Sequence, residues 1–250
     1  MISLQKISKF FNKGKPTEVI ALNDISLQIN KGEFVVIVGA NGSGKTTLLN
    51  IIEGSQMPTA GTIAINDQDV TSLPEYKRSR WVARVFQNPH NGTAPDLSIL
   101  DNFRLAALRT QRKNLTIGIN EAFKKKVQEK ISDLGMGLEN KIGQAMGNLS
   151  GGQRQALTLL MSAMDHTDIL LLDEPTAALD PKSALVVMNL ANKLNKELGI
   201  TTLLITHNLK DALVYGNRLI YMRGGRIVRD LNTEDKTGLL LPEIYRWFEY

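Results

Sequence analysis

The sequence has no cysteine and no long apolar run. Among its 250 residues the absence of cysteine excludes a disulfide framework and a thiolate metal site. The apolar runs are strand-sized, as in Ile169 to Leu172, and fall short of the roughly 18 to 20 residues that a membrane helix needs. The first residues, Met1 to Leu4, lack the pattern of a signal peptide. We therefore expect a chain without a membrane span of its own.

Charge is also limited. The net charge is +5, and hydrophobic and charged residues make up 42% and 22% of the chain, which is ordinary for a globular protein. This small positive excess does not by itself imply nucleic acid as a partner. It fits equally a surface that meets anionic phosphates or the cytoplasmic face of a membrane. No heptad repeat indicates a coiled coil.

Three apolar runs each end in a polar cluster. Phe34 to Val38 is followed by Gly39, Ile169 to Leu172 by Asp173-Glu174, and Thr202 to Ile205 by Thr206-His207. Continuous apolar runs are typical of strands that are covered on both faces. Because ligands of open parallel sheets bind at the carboxyl ends of strands, we expect these clusters to converge.

The first cluster is a phosphate-binding loop. Its eight residues fit the pattern G-x-x-x-x-G-K-[ST] between a predicted strand and a predicted helix: Gly39, Ala40, Asn41, Gly42, Ser43, Gly44, Lys45 and Thr46. The glycines allow backbone N–H groups to surround a phosphate at a helix N-terminus. Lys45 is expected to bridge the β- and γ-phosphates of ATP, and the Thr46 hydroxyl to bind Mg²⁺. Thr47 is expected to reach the α-phosphate.

The second cluster supplies two carboxylates at a strand end. Asp173 suits the coordination shell of Mg²⁺, directly or through water. Glu174 follows it and points the other way, where it can polarise an attacking water. Together with the phosphate loop, this pair predicts ATP hydrolysis.

A second anion site is predicted at Leu149-Ser150-Gly151-Gly152-Gln153. Ser150 can cap the helix that begins here, and the two glycines expose backbone N–H groups. An isolated Ser-Gly-Gly is equally well explained as a simple helix cap, so this assignment depends on the other motifs.

These motifs together resemble the ATP-binding cassette (ABC) ATPases. The order and spacing match over about Ile2 to Asp230, and Leu-Ser-Gly-Gly-Gln is the signature of that superfamily. The matching positions are Gly39 to Thr46, Gln87, Leu149 to Gln153, Leu170 to Glu174, Ala178-Leu179-Asp180 and His207.

The resemblance implies a head-to-tail homodimer with shared sites. In such a dimer Ser150, Gly151, Gly152 and Gln153 of one copy face the γ-phosphate that the other copy's phosphate loop holds, and Asp180 crosses the interface.

The resemblance also implies roles within one copy. Gln87, taken as the end of the strand Val85-Phe86-Gln87, reaches Mg²⁺ and the water. His207 contacts the γ-phosphate, and Phe11 stacks on adenine, with core packing as its alternative and Phe10 as a competing neighbour. His90 and His166 match no motif.

For the fold, we predict a single α/β domain spanning residues 1–250. It comprises a P-loop NTPase core with a RecA-like mixed sheet (1–87 and 166–230), in which the N-terminal part is an antiparallel β subdomain. An α-helical subdomain is inserted at 88–165. A helical tail at 231–250 is expected to pack on the core, with partner binding as the alternative.

The resemblance extends to a bacterial branch that works with a permease and a lipid-anchored solute-binding protein. Gly92 to Pro95, Ala177 to Pro181 and Tyr215 to Arg218 carry this likeness, and some members are linked to uptake of aromatic amino acids. It implies a separate ATPase subunit on the cytoplasmic face of the membrane, docked on permease subunits near Pro89 to Asn102. An export or lipoprotein-release complex is the alternative. A soluble ATPase acting on nucleic acid or ribosomes is a third hypothesis, disfavoured because the chain has one cassette.

Overall fold

A computed structural model describes residues 1–109 and 118–249 of the chain. In these residues the strands are β1 Ile2–Phe11, β2 Val19–Ile29, β3 Phe34–Val38, β4 Ala60–Ile65, β5 Gln68–Asp69, β6 Val82–Val85, β7 Ile169–Asp173, β8 Thr201–Ile205, β9 Arg218–Arg223 and β10 Arg226–Leu231. The α-helices are α1 Lys45–Glu53, α2 Glu75–Arg78, α3 Ile99–Ala106, α4 Glu121–Ser132, α5 Gly151–Ser162, α6 Pro181–Leu198, α7 Leu209–Val214, α8 Thr233–Thr237 and α9 Leu241–Arg246.

The larger sheet has six strands in the order β10-β9-β3-β8-β7-β6. Strands β6, β7, β8, β3 and β9 run parallel, and β10 returns antiparallel to β9. The predicted mixed sheet of a P-loop NTPase is therefore confirmed.

Both faces of this sheet are covered, as the continuous apolar runs predict. On β3, Val35 and Ile37 pack in one core cluster with β1, β2 and α1. The alternate residues Val36 and Val38 pack in a second cluster with the helices on the opposite face. All four side chains are fully buried, and each such burial contributes roughly 1.5–3 kcal/mol.

The predicted antiparallel and helical parts are also present. A four-stranded sheet of order β2-β1-β4-β5 is antiparallel throughout and belongs to the N-terminal part of the chain. Helices α3, α4 and α5 lie in sequence between β6 and β7, so helices are inserted between two neighbouring parallel strands of the core.

The C-terminal segment packs on the core through short helices. Ile244 of α9 is fully buried, and the rings of Trp247 and Phe248 lie 5.5 and 5.3 Å from that of Tyr221 on β9. Within the ranges that the structure describes, none of the helices combines the length and the apolar character needed to cross a bilayer.

Candidate active site

The carboxyl ends of three strands meet at one edge of the six-stranded sheet. In the parallel register, Ile205 of β8 lies beside Ile37 of β3 on one side and beside Asp173 of β7 on the other. The loops that leave these strands therefore start next to each other, and the three polar clusters expected to converge do so.

The phosphate loop needs glycine at specific positions. Gly44 has φ of +98°, and a Cβ placed on it would lie 2.4 Å from the carbonyl oxygen of Ala21. Only glycine fits such a position. Helix α1 begins directly after it, at Lys45, and no side chain caps its N-terminus. The backbone N–H groups of the first turn are thus available to an anion.

Lys45 is the first residue of α1 and is 5% exposed. Its Nζ donates hydrogen bonds to the carbonyl oxygens of Gly39 and Ala40, at 2.8 and 3.0 Å. Burial lowers the pKa of Lys45, and the carboxylates of Glu174 and Asp173 offset part of that lowering. The ammonium group thus donates hydrogen bonds to two carbonyls and interacts electrostatically with two carboxylates.

The residues of the loop fit a phosphate group. The hydroxyl of Ser43 is buried and has no hydrogen-bond partner in the part of the chain that the structure describes. Because a buried hydroxyl without a partner is costly, a phosphate oxygen accepting from it would remove that cost. Ser43, Lys45 and the uncapped helix N-terminus are all donors within one loop.

Thr46 and Asp173 come together as oxygen donors. The Thr46 hydroxyl lies 3.4 Å from Oδ1 of Asp173, and Asp173, the last residue of β7, is 8% exposed. Hydroxyl and carboxylate oxygens are ligands that suit Mg²⁺. The pair therefore fits a magnesium ion beside the phosphate loop.

Glu174 points away from this pair. It has φ of +49°, which is uncommon for a residue other than glycine, and its Oε1 lies 2.6 Å from Nε2 of His207. The chain reversal at Glu174 thus separates the two neighbouring carboxylates. Asp173 contacts Thr46, and Glu174 contacts His207.

Gln87 lies differently from its predicted position. Strand β6 ends at Val85, so the prediction that Gln87 ends the strand is wrong; Gln87 is exposed in the following bend. Among the described residues β6 is an edge strand that pairs with β7 alone, and this pairing ends with Val85 beside Leu172. No hydrogen bond joins Gln87 to Thr46 or Asp173 in the described residues, and the side chain of this segment that contacts Asp173 is Arg84, at 2.6 Å. A charged residue between Ala83 and Val85 was the available signal for it.

The signature segment is held by its own helix and by α6. The Ser150 hydroxyl accepts from the Gln153 N–H, and the Gln153 side chain accepts from the Ser150 N–H, so the predicted cap is present. A Cβ on Gly152 would lie 2.3 Å from Oγ of Ser183 in α6. Asp180 caps α6 by accepting from the Ser183 N–H, and hydrogen bonding by the side chain and then the backbone of Ser183 lowers the pKa of Asp180. No hydrogen bond links residues 150–153 to the phosphate loop in the described ranges.

His90, which no motif explained, contacts the signature helix. The guanidinium of Arg154 lies 2.6 Å from Nδ1 of His90, and it also donates to the carbonyls of Gly147 and Leu149. Arg154 is 3% exposed. It therefore joins the loop after β6 to the residues that precede Ser150, a long-range contact that no local pattern indicates.

Phe11 ends β1 and is 36% exposed. It pairs across the hairpin with Val19, and Phe10 pairs with Ile20. Both hairpin partners are exposed as well. The side chain of Phe11 is thus part of an exposed apolar surface rather than of the core.

A glycine-rich loop with a buried lysine, next to a strand-end acid pair on a parallel sheet, defines a P-loop ATPase. Comparison with known proteins identifies the family within this class. The sequence profile of the ABC transporter family matches residues 22–177, so the chain belongs to this family, as an ATP-binding and ATP-hydrolysing cassette.

Several curated relatives match all or nearly all of the chain. A tyrosine transport ATP-binding protein of Clostridioides difficile (strain R20291) is 40% identical over 252 residues, covering 100% of this chain and 99% of that protein. The phosphonates import ATP-binding protein PhnC of Lactococcus lactis subsp. cremoris (strain SK11) is 35% identical over 98% of this chain and 99% of its own length. A methionine import protein, MetN 1 of Bacillus thuringiensis subsp. konkukian (strain 97-27), is 33% identical over 95% of this chain and 69% of its length.

Solved structures agree. The dimeric cassette MJ0796 in a post-hydrolysis state bound to ADP and Pi has a TM-score of 0.80 and 31% identity, covering 93% of this chain and 99% of that one. The ADP conformation of the cassette MJ1267 gives 0.79 and 26%, with 98% of each chain covered. The expected ABC ATPase fold is therefore confirmed.

Proposed function

We propose that this chain is the ATP-hydrolysing subunit of a bacterial importer for a small solute, with aromatic amino acids as the substrate class. The observation that carries this proposal is the full-length likeness, at 40% identity, to a protein named for tyrosine transport. The relatives named for phosphonates and methionine are import ATP-binding proteins, which favours import over an export or lipoprotein-release complex. Selectivity itself lies in other subunits.

ATP binds along the phosphate loop in this proposal. Lys45 and Ser43 donate to the phosphates, together with backbone N–H groups from Asn41 to Thr47. The exposed ring of Phe11 stacks on adenine. Thr46 and Asp173, joined by Gln87, would hold Mg²⁺, which when bound would neutralise charge that develops on the phosphates.

Hydrolysis depends on the pair formed by Glu174 and His207. Glu174 accepts a proton from the attacking water as a general base, a role that contributes about 10²–10⁴-fold. The 2.6 Å contact between His207 Nε2 and Glu174 Oε1 fixes the orientation of both side chains. The side chain of His207 is 44% exposed, so this contact leaves it open to a further ligand such as the γ-phosphate.

The site is completed by a second copy of the chain. Ser150, Gly151, Gly152 and Gln153 of one copy close on the phosphates held by the other, with Asp180 at the same interface. The exposed N-terminus of α5 and the dimeric state of the similar cassette MJ0796 support a head-to-tail homodimer.

A groove beside the site suits a permease segment. It has a volume of about 430 Å³ and lies between β6 and the helices α3 and α5. Its apolar lining includes Phe86, Ala94 and Leu105, and Leu105 is 54% exposed. Permease subunits docking here, within and beside Pro89 to Asn102, would hold the chain peripherally at the cytoplasmic face of the membrane. A separate solute-binding protein then delivers the solute.

Transport can be tested on the complex that copurifies with this chain from the native membrane. In proteoliposomes carrying that complex and its solute-binding protein, we expect ATP-dependent accumulation of radiolabelled tyrosine. The matched control is Glu174→Gln, which keeps ATP binding but slows turnover by about 10²-fold or more. ATP turnover that leaves tyrosine, phenylalanine and tryptophan unmoved would reject the substrate class, and normal turnover by Glu174→Gln would reject Glu174 as the base.

The shared site is tested separately by Ser150→Arg. In the Glu174→Gln background, ATP should convert the chain from monomer to dimer, as measured by light scattering. Ser150→Arg should abolish that dimer, because a long cation blocks the N-terminus of α5, and should leave ATP binding by the monomer unchanged. A dimer that still forms would contradict the shared site.

A further inference from the structure

Arg84 is a charged residue in a strand that is otherwise buried. It lies between Ala83 and Val85 in β6 and pairs with Leu171 of β7. Its side chain is only 6% exposed. By the two-residue alternation of a strand, Arg84 shares the face of Val82, which packs in the same core cluster as α1. A buried guanidinium is retained only where acceptors surround it.

Three acceptors surround this guanidinium. One terminal nitrogen donates to Oδ1 of Asn50 at 2.6 Å and to Oε2 of Glu53 at 2.7 Å. The other donates to Oδ2 of Asp173 at 2.6 Å. Asn50 and Glu53 belong to α1, the helix that begins at the phosphate loop, whereas Asp173 ends β7. Arg84 therefore joins the phosphate-loop helix to the strand-end acid.

The two oxygens of Asp173 have different partners. Oδ2 is held by Arg84, and Oδ1 lies 3.4 Å from the Thr46 hydroxyl. Since a carboxylate is planar, holding one oxygen fixes the direction of the other. Arg84 thus aims Oδ1 at Thr46, the residue with which Asp173 would share a magnesium ion.

Glu53 adjusts the charge of this arrangement. It is buried, and burial raises its pKa, while Arg84 acts in the opposite direction. The guanidinium of Arg84 is shared between two carboxylates, Glu53 at 2.7 Å and Asp173 at 2.6 Å, so Asp173 is not its sole charged partner. Charged hydrogen bonds of this kind are strong and directional.

We propose that Arg84 is a positioning residue for Asp173 as a Mg²⁺ ligand. It acts through Asp173 and Asn50 and does not itself touch the metal or the nucleotide. This inference rests on the proposed roles of Thr46 and Asp173 at magnesium. Residues that orient metal ligands by hydrogen bonds typically change metal affinity by about 10- to 100-fold when they are replaced.

The test measures metal binding directly, in the Glu174→Gln background where ATP is hydrolysed slowly. Mn²⁺ serves as the probe, and its binding with ATP is titrated by electron paramagnetic resonance. We expect Arg84→Met and Arg84→Lys to weaken Mn²⁺ binding by about 10- to 100-fold, because neither side chain can bridge Asn50, Glu53 and Asp173. Binding of a fluorescent ATP analogue in EDTA should stay unchanged. At saturating Mg²⁺, otherwise wild-type protein carrying Arg84→Lys should regain most of its turnover.

Two controls make the result specific. Arg80→Met removes a neighbouring arginine that stacks on Trp81 and does not contact Asp173, so it should leave Mn²⁺ affinity unchanged. If Arg84→Met fails to fold because Glu53 loses its partner, the double variant Arg84→Met/Glu53→Gln removes both charges together and should show the same weakening.

Either of two outcomes would overturn the proposal. One is Mn²⁺ affinity in the Arg84 variants equal to that of Arg80→Met. The other is a parallel loss of metal-free ATP binding, which would indicate general damage. Failure of the proposed function is distinguishable, since it would appear as absent ATP binding or turnover in the wild-type chain.

Discussion

Lys45 and Lys236 are two buried lysines whose ammonium groups have the same kind of hydrogen-bond acceptors but differ in the charged groups nearby. Each ammonium donates to two consecutive backbone carbonyls: Lys45 to Gly39 and Ala40, and Lys236 to Tyr215 and Gly216. They are 5% and 7% exposed. Burial lowers the pKa of both lysines. For Lys45 the carboxylates of Glu174 and Asp173 offset part of that lowering, whereas for Lys236 burial acts alone and lowers the pKa to about 8.

This difference shows that a buried lysine whose ammonium donates to two backbone carbonyls is not by itself evidence of a phosphate site. Lys45 belongs to a loop with an uncapped helix N-terminus, and two carboxylates offset part of the lowering of its pKa by burial. Lys236 is in α8 and ties the C-terminal segment to the loop before β9 through the carbonyls of Tyr215 and Gly216. We therefore propose that Lys45 serves ligand binding and that Lys236 serves stability.

The largest expected difference between the two lysines is in ATP affinity. We expect Lys45→Met to weaken ATP binding by about 10- to 100-fold, because hydrogen bonds to charged groups contribute about 1.5–3 kcal/mol. Lys236→Met is the matched control and should bind ATP as the wild type does. Calorimetric titration measures both. Equal losses in the two variants would show that the lysines do not differ in the way proposed.

A smaller effect is expected on folding stability. Lys236→Met should lower the free energy of unfolding by about 1–3 kcal/mol, because the carbonyls of Tyr215 and Gly216 lose their donor in a buried place. Lys45→Met should cost less without nucleotide, since Ala40, Asn41 and Gly42 are exposed and water can reach the loop. Denaturant unfolding measures the difference. A larger cost for Lys45→Met would reverse the assignment.

The pH dependence sharpens the same measurement. Lys236 has a pKa of about 8 when folded, against 10.5 as its ordinary value. Between these values the unfolded chain holds a proton that the folded chain has released, so stability rises with pH through this window. The gap between wild type and Lys236→Met should therefore widen from pH 8 to pH 10 and stay level below pH 8. A gap that does not change with pH would contradict the lowered pKa of Lys236 in the folded chain.

Sequence reasoning succeeded where the chemistry is local. The Gly39 to Thr46 pattern specifies its own loop, because glycine positions and the following helix lie within a few residues. The buried strands before Gly39, Asp173 and Thr206 were readable from continuous apolar runs, and parallel topology then dictates that their ends meet. The fold class followed from these elements and from the family resemblance.

The sequence was silent where a side chain depends on distant partners. Arg84 meets Asn50 and Asp173, which are 34 and 89 positions away, and an arginine in a strand more often faces solvent. Lys236 looks like an ordinary last-turn lysine of a short helix. The end of β6 depends on having only one neighbouring strand, which is why the placement of Gln87 at the strand end was wrong. Boundaries of this kind commonly shift by one or two residues.

The backbone of Glu174 has a consequence for anyone who engineers this protein. Its φ of +49° is a conformation that costs a residue with a Cβ of order 1–3 kcal/mol, and glycine would relieve that cost. A search for thermostable variants that considers only backbone strain would select this position for replacement by glycine. That replacement would remove the carboxylate that contacts His207. The resulting protein would be more stable but would lack its proposed base, so position 174 should be held fixed in any such redesign.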